Sequence, residues 1–356
     1  MLYQFYIGVD NGNAAQKQII KKMIAQINSR YIKTRPTKVL TRLMSYAFFE
    51  GRPVTTKGRW INPLVFSLLK KFAANTNKYE SVEKPIFILG TGRSGTTILG
   101  IVLSMHREIG YLNEPKAMWH LIHPHEDIIG NYSRVPDAKY RLTAGDATNE
   151  MRQRASQMFG AYLKATHSKR LVDKYPELIF RVDFVRALFP DARFIFLVRN
   201  GWDTCHSIAT WSRRLGVQVN SEKHDWWGVD DRKWRLLVEQ LVKTDPVFSQ
   251  IADEVKHFER HLDRAAVEWI VTMQEGLHLM QTSPDDIHLI RFEDLTSQPD
   301  ETLSALCDFC ELPTDTTFRE YARQTLHPVP ARKSFDIHPK IAPLFHDTME
   351  KMGYNI

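Results

Sequence analysis

The stretch Pro85-Ile86-Phe87-Ile88-Leu89-Gly90-Thr91-Gly92-Arg93-Ser94-Gly95-Thr96-Thr97 constrains this chain more than any other. Residues 86–89 are uninterrupted apolar, as in a parallel strand buried on both faces. A glycine-rich turn follows, and a helix opens at Thr96 or Thr97. Such a turn offers free backbone N–H groups at a helix N-terminus, where amides and dipole together favour a phosphate-like anion. The spacing from Gly90 to Gly95 matches the triphosphate loop G-x-x-x-x-G-K-[ST], except that Thr96 stands in the lysine position. Without that lysine, ATP or GTP chemistry loses its main cation there. The cation is instead Arg93, inside the loop, whose planar fork grips an oxyanion without metal.

The rest of the chain repeats the strand-loop-helix theme. Residues 171–174 read as a short buried strand ending in Asp173-Lys174, residues 194–198 as a second ending at Arg199, and residues 287–292 as a last one. Helical periodicity between them, at Met151, Ala155, Met158, Phe159 and Tyr162, over 177–189 and at Ala266, Trp269, Ile270, Met273 and Leu277, implies right-handed crossovers and a parallel sheet. Ligands gather beyond the C-terminal ends of such strands, where Gly90, Lys174 and Arg199 all fall. Residues 217–262, with Trp226, Trp227 and Trp234, read as a helical insertion.

Charge divides the chain. Residues 14–79 hold fourteen Lys and Arg and a single acid, Glu50, so the segment is +13 and the remainder −6. Ile19, Ile20, Met23, Ile24, Ile27 and Tyr31 recur at helix spacing. Further helices are expected after Thr37 and over 64–74, the latter started by Asn62-Pro63. Residues 1–80 therefore read as a basic helical arm before a body of 81–356. Its basic faces are either simply solvated or placed to meet an anionic membrane or polymer. No apolar run reaches the roughly 18 residues that span a bilayer. The apolar start at 1–7 is short, lacks a basic leader and meets Asp10, which argues against a signal peptide. Cys205, Cys307 and Cys310 make no disulfide framework, which fits a reducing, cytoplasmic setting, peripheral to a membrane if the arm binds one. Cys307 and Cys310 lack the second pair that a zinc site would need.

Gly92-Arg93-Ser94-Gly95-Thr96-Thr97 after an apolar strand resembles the 5′-phosphosulfate loop of sulfotransferases that use 3′-phosphoadenosine 5′-phosphosulfate (PAPS). Arginine before the serine is similar to the branch containing tyrosylprotein sulfotransferases and bacterial relatives. Leu197-Val198-Arg199 with Ser207 eight residues on resembles the family's 3′-phosphate site, a guanidinium and a hydroxyl sharing one dianion. The resemblance covers 85–120, 170–212 and 263–312, and implies a P-loop-like three-layer α/β/α fold with a mostly parallel sheet. The basic arm and the insertion at 217–262 would be additions, the latter a lid over the acceptor.

The same resemblance implies the roles. Arg93, Ser94, Gly95, Thr96 and Thr97 would hold the 5′-phosphosulfate, and Arg199 and Ser207 the 3′-phosphate. Glu114 would take the proton of an acceptor hydroxyl (saccharide, lipid, small molecule or peptide tyrosine), with His120, His123 and His125 as rivals. Lys174 would stabilise charge on the departing oxygen. Ser334 would close on the donor from the tail, with Lys340 as a further cation. A raised pKa is expected for Glu114 beside an anionic donor. No metal and no nucleic acid are expected. Two departures stand out: Trp211 replaces an arginine one turn beyond the serine, and Phe292 replaces a tyrosine. Two other readings stay open: an ATP-dependent phosphotransferase, and a non-catalytic binder of anionic polymers.

Overall fold

In the computed structural model, residues 26–75, 79 and 81–355 are described. Five parallel strands, β1 (Ile86–Gly90), β2 (Ile109–Asn113), β3 (Arg170–Lys174), β4 (Arg193–Val198) and β8 (Ile287–Arg291), form one sheet in the order β2-β3-β1-β4-β8. Three short strands, β5 (Val217–Val219), β6 (Glu222–Asp225) and β7 (Gly228–Val229), make a separate antiparallel sheet.

The uninterrupted apolar strands are explained by two cores, one on each face of the sheet. Phe87, Leu89, Phe194, Phe196 and Val198 point into one, together with the helices Asn149–Thr166, Gly201–Leu215, His261–Thr282 and Ala342–Lys351. Ile86, Ile88, Ile195 and Leu197 point into the other, against Thr96–Ser104, Pro299–Phe309 and Thr316–Thr325. Successive side chains alternate faces, so a strand covered on both sides has no polar position. The result is a three-layer α/β/α sandwich. Phe87 packs against the rings of Phe189 and Phe194 at 6.0 and 5.8 Å, and burying such a ring contributes about 1.5–3 kcal/mol.

The N-terminal part is docked on this body. Tyr31 bonds Ser104 at 2.9 Å, Lys38 Nζ donates to the Ile109 carbonyl at 2.6 Å, and Arg35 forms two 2.7 Å bonds to Asp315. Several of the arm's cations therefore face inward. The expected helix through Ile19, Ile20, Met23 and Ile24 lies outside the described residues, while Tyr31 falls in the helix Ser29–Thr34, capped by the Asn28 side chain.

Two local expectations change. Residues 217–229 form β5–β7 rather than helix, because Asn220 takes the left-handed conformation (φ 55°) and closes a two-residue hairpin with Ser221. Trp226-Trp227 forms the second two-residue turn. The helix expected over 177–189 is divided into a 3₁₀ stretch, Pro176–Arg181, and an α-helix, Val182–Leu188.

Candidate active site

β1 ends in a turn that Ser94 holds from within. Its amide and hydroxyl donate to the Thr91 carbonyl at 3.2 and 2.7 Å, and the hydroxyl also reaches the Leu197 carbonyl of β4 at 3.3 Å. Gly95 (φ 106°) then starts the helix Thr96–Ser104 from a left-handed conformation that a side chain would strain, with the Phe292 ring against its Cα. The first-turn amides of this helix have no carbonyl a turn earlier, so they face the loop mouth. Thr96 and Thr97 are buried at that turn.

Arg93 also sits at positive φ (77°), and its Nε donates to Ser207 Oγ at 3.1 Å. Ser207 rides the helix Gly201–Leu215, whose first turn is capped by Asn200. At the end of β4, Arg199 lies 4.6 Å over the Phe292 ring and 3.4 Å from Asp203 Oδ2, and its buried Nε has no hydrogen-bond partner. Burial, then the nearby charge of Arg199, pull the Arg93 pKa down to about 10, with Glu114 opposing. Arg93, Arg199, Ser207 and Glu114 thus share one electrostatic neighbourhood on one side of the sheet.

Glu114 follows β2 at φ 51°. Its amide donates to the Lys174 carbonyl at 2.8 Å, and its Oε1 pairs directly with Lys174 Nζ. Lys116 Nζ lies 3.4 Å from the other oxygen. The expected upward shift is therefore reversed. Burial alone would raise the Glu114 pKa, but the charges of Lys174 and Lys116 hold it at about 2. Lys174 is nearly fully buried at the end of β3, in register with Ile88 and Asn113.

The rival histidines have other partners. His120 packs on Phe66 and Tyr132, and His125 pairs with Asp137 at 3.0 Å. His123 is buried against Phe184, where burial and then His125 push its pKa down to about 4. Ser334 is exposed, on a tail segment tied to the helix Gly201–Leu215: the Arg332 amide donates to Asp203 Oδ1 at 2.7 Å, and the Phe335 ring meets Trp202. Asp203 therefore links Arg199 to the tail. Trp202 packs within the core, and Lys340 lies 3.5 Å from Glu254.

Sequence reasoning missed Lys116 and the contact of Trp226 with Gly92. The Trp226 ring covers Gly92 so closely that a Cβ there would lie 2.5 Å from the ring. It is held by its own Nε1–H on Glu268 (2.6 Å), by Lys233 over its face and by Trp211 at 5.5 Å. Alternating charges continue inward from Glu268 to Lys233 (2.5 Å), Glu177 (3.9 Å) and Lys116 (3.9 Å). The only early sign of Lys116 was its place two residues after Glu114; Trp226 stood out in the insertion, but its contact with Gly92 spans the sequence and left no local mark.

A sequence model described as "Sulfotransferase family" matches residues 85–316. The chain is similar to a protein-tyrosine sulfotransferase of Drosophila melanogaster (30% identical over 135 residues, 37% of this chain and 26% of that protein). It is also similar to the human protein-tyrosine sulfotransferase 1 (29% over 155 residues, 42% and 40%) and to the nodulation protein NoeE of Sinorhizobium fredii (31% over 144 residues, 38% and 33%). The matched stretches span at most about two-fifths of these relatives. Among solved structures, sulfotransferase STF9 from Mycobacterium avium aligns at 12% identity and a TM-score of 0.48, covering 91% of this chain and 92% of that one.

Proposed function

The chain belongs to the sulfotransferase family, and from that premise we propose that it transfers a sulfuryl group from PAPS to an acceptor hydroxyl. The observation that carries this reading is the bond from Arg93 Nε to Ser207 Oγ. It ties the loop suited to the 5′-phosphosulfate to the helix suited to the 3′-phosphate, with the unpartnered Nε of Arg199 beside them. The donor set fits such a guest: two guanidinium groups, hydroxyls and helix-start amides, all suited to oxyanions.

In this reading the amides at Gly95, Thr96 and Thr97 and the Arg93 guanidinium hold the phosphosulfate, and Arg199 and Ser207 hold the 3′-phosphate. Glu114, ionised at neutral pH, accepts the acceptor's proton as the new O–S bond forms. The bond from sulfur to the phosphate oxygen breaks, and Lys174 stabilises the charge left on that oxygen. When Lys174 turns to that oxygen it leaves Glu114, so the carboxylate gains proton affinity when it is needed. Ser334 closes the donor site from the tail. A sulfuryl group carries less charge than a phosphoryl group, so the step asks for no metal. The acceptor is a hydroxyl of a saccharide, a lipid or a small molecule, and the insertion at 217–262 forms its lid beside Trp226. The enzyme works in the cytoplasm, where Cys205, Cys307 and Cys310, all unpaired and buried, stay reduced.

Two measurements test the reading. Calorimetry should detect tight binding of 3′,5′-adenosine bisphosphate, and a screen of acceptors with labelled PAPS should return a product heavier by one sulfuryl group. Preferential binding of ATP with magnesium would overturn the reading in favour of a phosphotransferase. Binding of anionic polymer that survives Arg199→Ala, with no product from any acceptor, would leave a binding protein.

A further inference from the structure

The helix Pro36–Met44 is turned inside out. Lys38 and Arg42 point inward, Lys38 to the Ile109 carbonyl and Arg42 to Glu50. On the opposite side Leu40 is 65% and Leu43 37% exposed. Ile32 on the preceding helix and Phe48 just after it are exposed as well. A second apolar pair, Trp60 (84%) and Leu64 (57%), stands one helical turn apart at the start of Asn62–Ala74. The two parts are joined by Phe49 stacked on Phe72 at 5.8 Å. So many large apolar side chains left exposed within one segment mark a contact rather than chance exposure.

The exposed charges of the segment itself have one sign. Arg30, Lys33, Lys57, Lys70 and Lys71 are exposed, and the single carboxylate among residues 26–75, Glu50, is buried against Arg42. We propose that the outer surface of residues 29–74 docks the protein on an anionic phospholipid membrane, with Leu40, Leu43, Trp60 and Leu64 entering the interface. A bilayer of this kind takes both components at once: headgroups meet the lysines, and the acyl boundary takes leucines and an interfacial tryptophan. A soluble polyanion would use only the cations and leave the apolar groups in water. A second copy of the chain would set cation against cation. The inference is independent of the chemistry at Glu114.

The test is co-sedimentation of the full chain with phosphatidylcholine vesicles, with and without phosphatidylglycerol. Binding is expected only with the anionic lipid. It should fall about tenfold or more in Leu40→Ser/Leu43→Ser or Trp60→Ser/Leu64→Ser, and comparably in Lys70→Glu/Lys71→Glu or at high salt. Binding of 3′,5′-adenosine bisphosphate, unchanged in each variant, would certify the fold. If one apolar pair fails that control, the other pair and the lysine pair decide. No binding at low salt, equal binding to neutral vesicles, or full binding by both apolar variants would overturn the proposal. So would a dimer abolished by the same substitutions.

Discussion

Lys174 is bound to Glu114 twice, once through its ammonium on Oε1 and once through its carbonyl, which accepts the Glu114 amide at 2.8 Å. The backbone bond holds β2 and β3 together just where both strands end, so the side-chain pair is set by the sheet. If the two residues act as proposed, Glu114→Ala and Lys174→Ala should each lower kcat at least ~100-fold, the usual size of general-base assistance. Binding of 3′,5′-adenosine bisphosphate, read by calorimetry, should stay nearly intact. Near-normal turnover in Glu114→Ala would move the base to a histidine.

The lysines around Glu114 set its pH behaviour. Its folded-state pKa, about 2, lies below the value of about 4.3 for a free glutamate. The pairing's stabilisation is therefore fully present above the free value and is lost as pH falls through about 2. Lys116→Met removes one of the two cations, so the acid limb of kcat/KM should move up by about one unit or more. A pH–rate profile that does not move would mean that Lys116 has no hold on the base.

Arg199 offers the sharpest separation of donor binding from folding. Its Nε is buried without a partner and its guanidinium rests on Phe292. Loss of a charge-assisted hydrogen bond costs about 1.5–3 kcal/mol, so Arg199→Ala should weaken 3′,5′-adenosine bisphosphate about 10- to 100-fold. The Asp203→Ala variant tests the link to the tail. It removes the acceptor of the Arg332 amide as well as the partner of Arg199, and protease cleavage near 330 should become faster. Unchanged cleavage would show that other contacts hold the tail.

The close approach of Trp226 to Gly92 is testable by a pairwise cycle. Gly92→Ala sets a methyl group 2.5 Å from the ring and should cost about 1–3 kcal/mol in chemical denaturation. In a Trp226→Ala background the same change should cost less than half as much. Equal costs in both backgrounds would mean that the methyl group is resisted by the loop backbone instead.

Much of this architecture is legible in the sequence because two-sided burial leaves a simple mark. β1 and β4 read as unbroken apolar runs, and their exits carry Arg93 and Arg199. β2 does not read so clearly, since Gly110 interrupts the run and the strand sits at the sheet edge. The low pKa of Glu114 was beyond reach for a different reason. It depends on Lys174, sixty residues away, and on the direction that the Lys116 side chain takes from the next helix. The antiparallel strands β5–β7 are two to four residues long, too short for alternation to stand out among tryptophans and charges.

The buried pair of Arg42 and Glu50 ties the inverted helix to the body. Both side chains are almost wholly buried, and Glu50 Oε1 also accepts the Asn113 amide of β2 at 2.9 Å. Removing one partner leaves the other charge buried and uncompensated, so Glu50→Gln should cost about 3–5 kcal/mol in chemical denaturation. Replacing both, as Arg42→Met/Glu50→Leu, removes the uncompensated charge and should recover much of that loss. It cannot recover all of it, because the Asn113 amide then loses its acceptor. If the double variant were as unstable as Glu50→Gln, the amide bond to β2, rather than the ion pair, would be what anchors the segment.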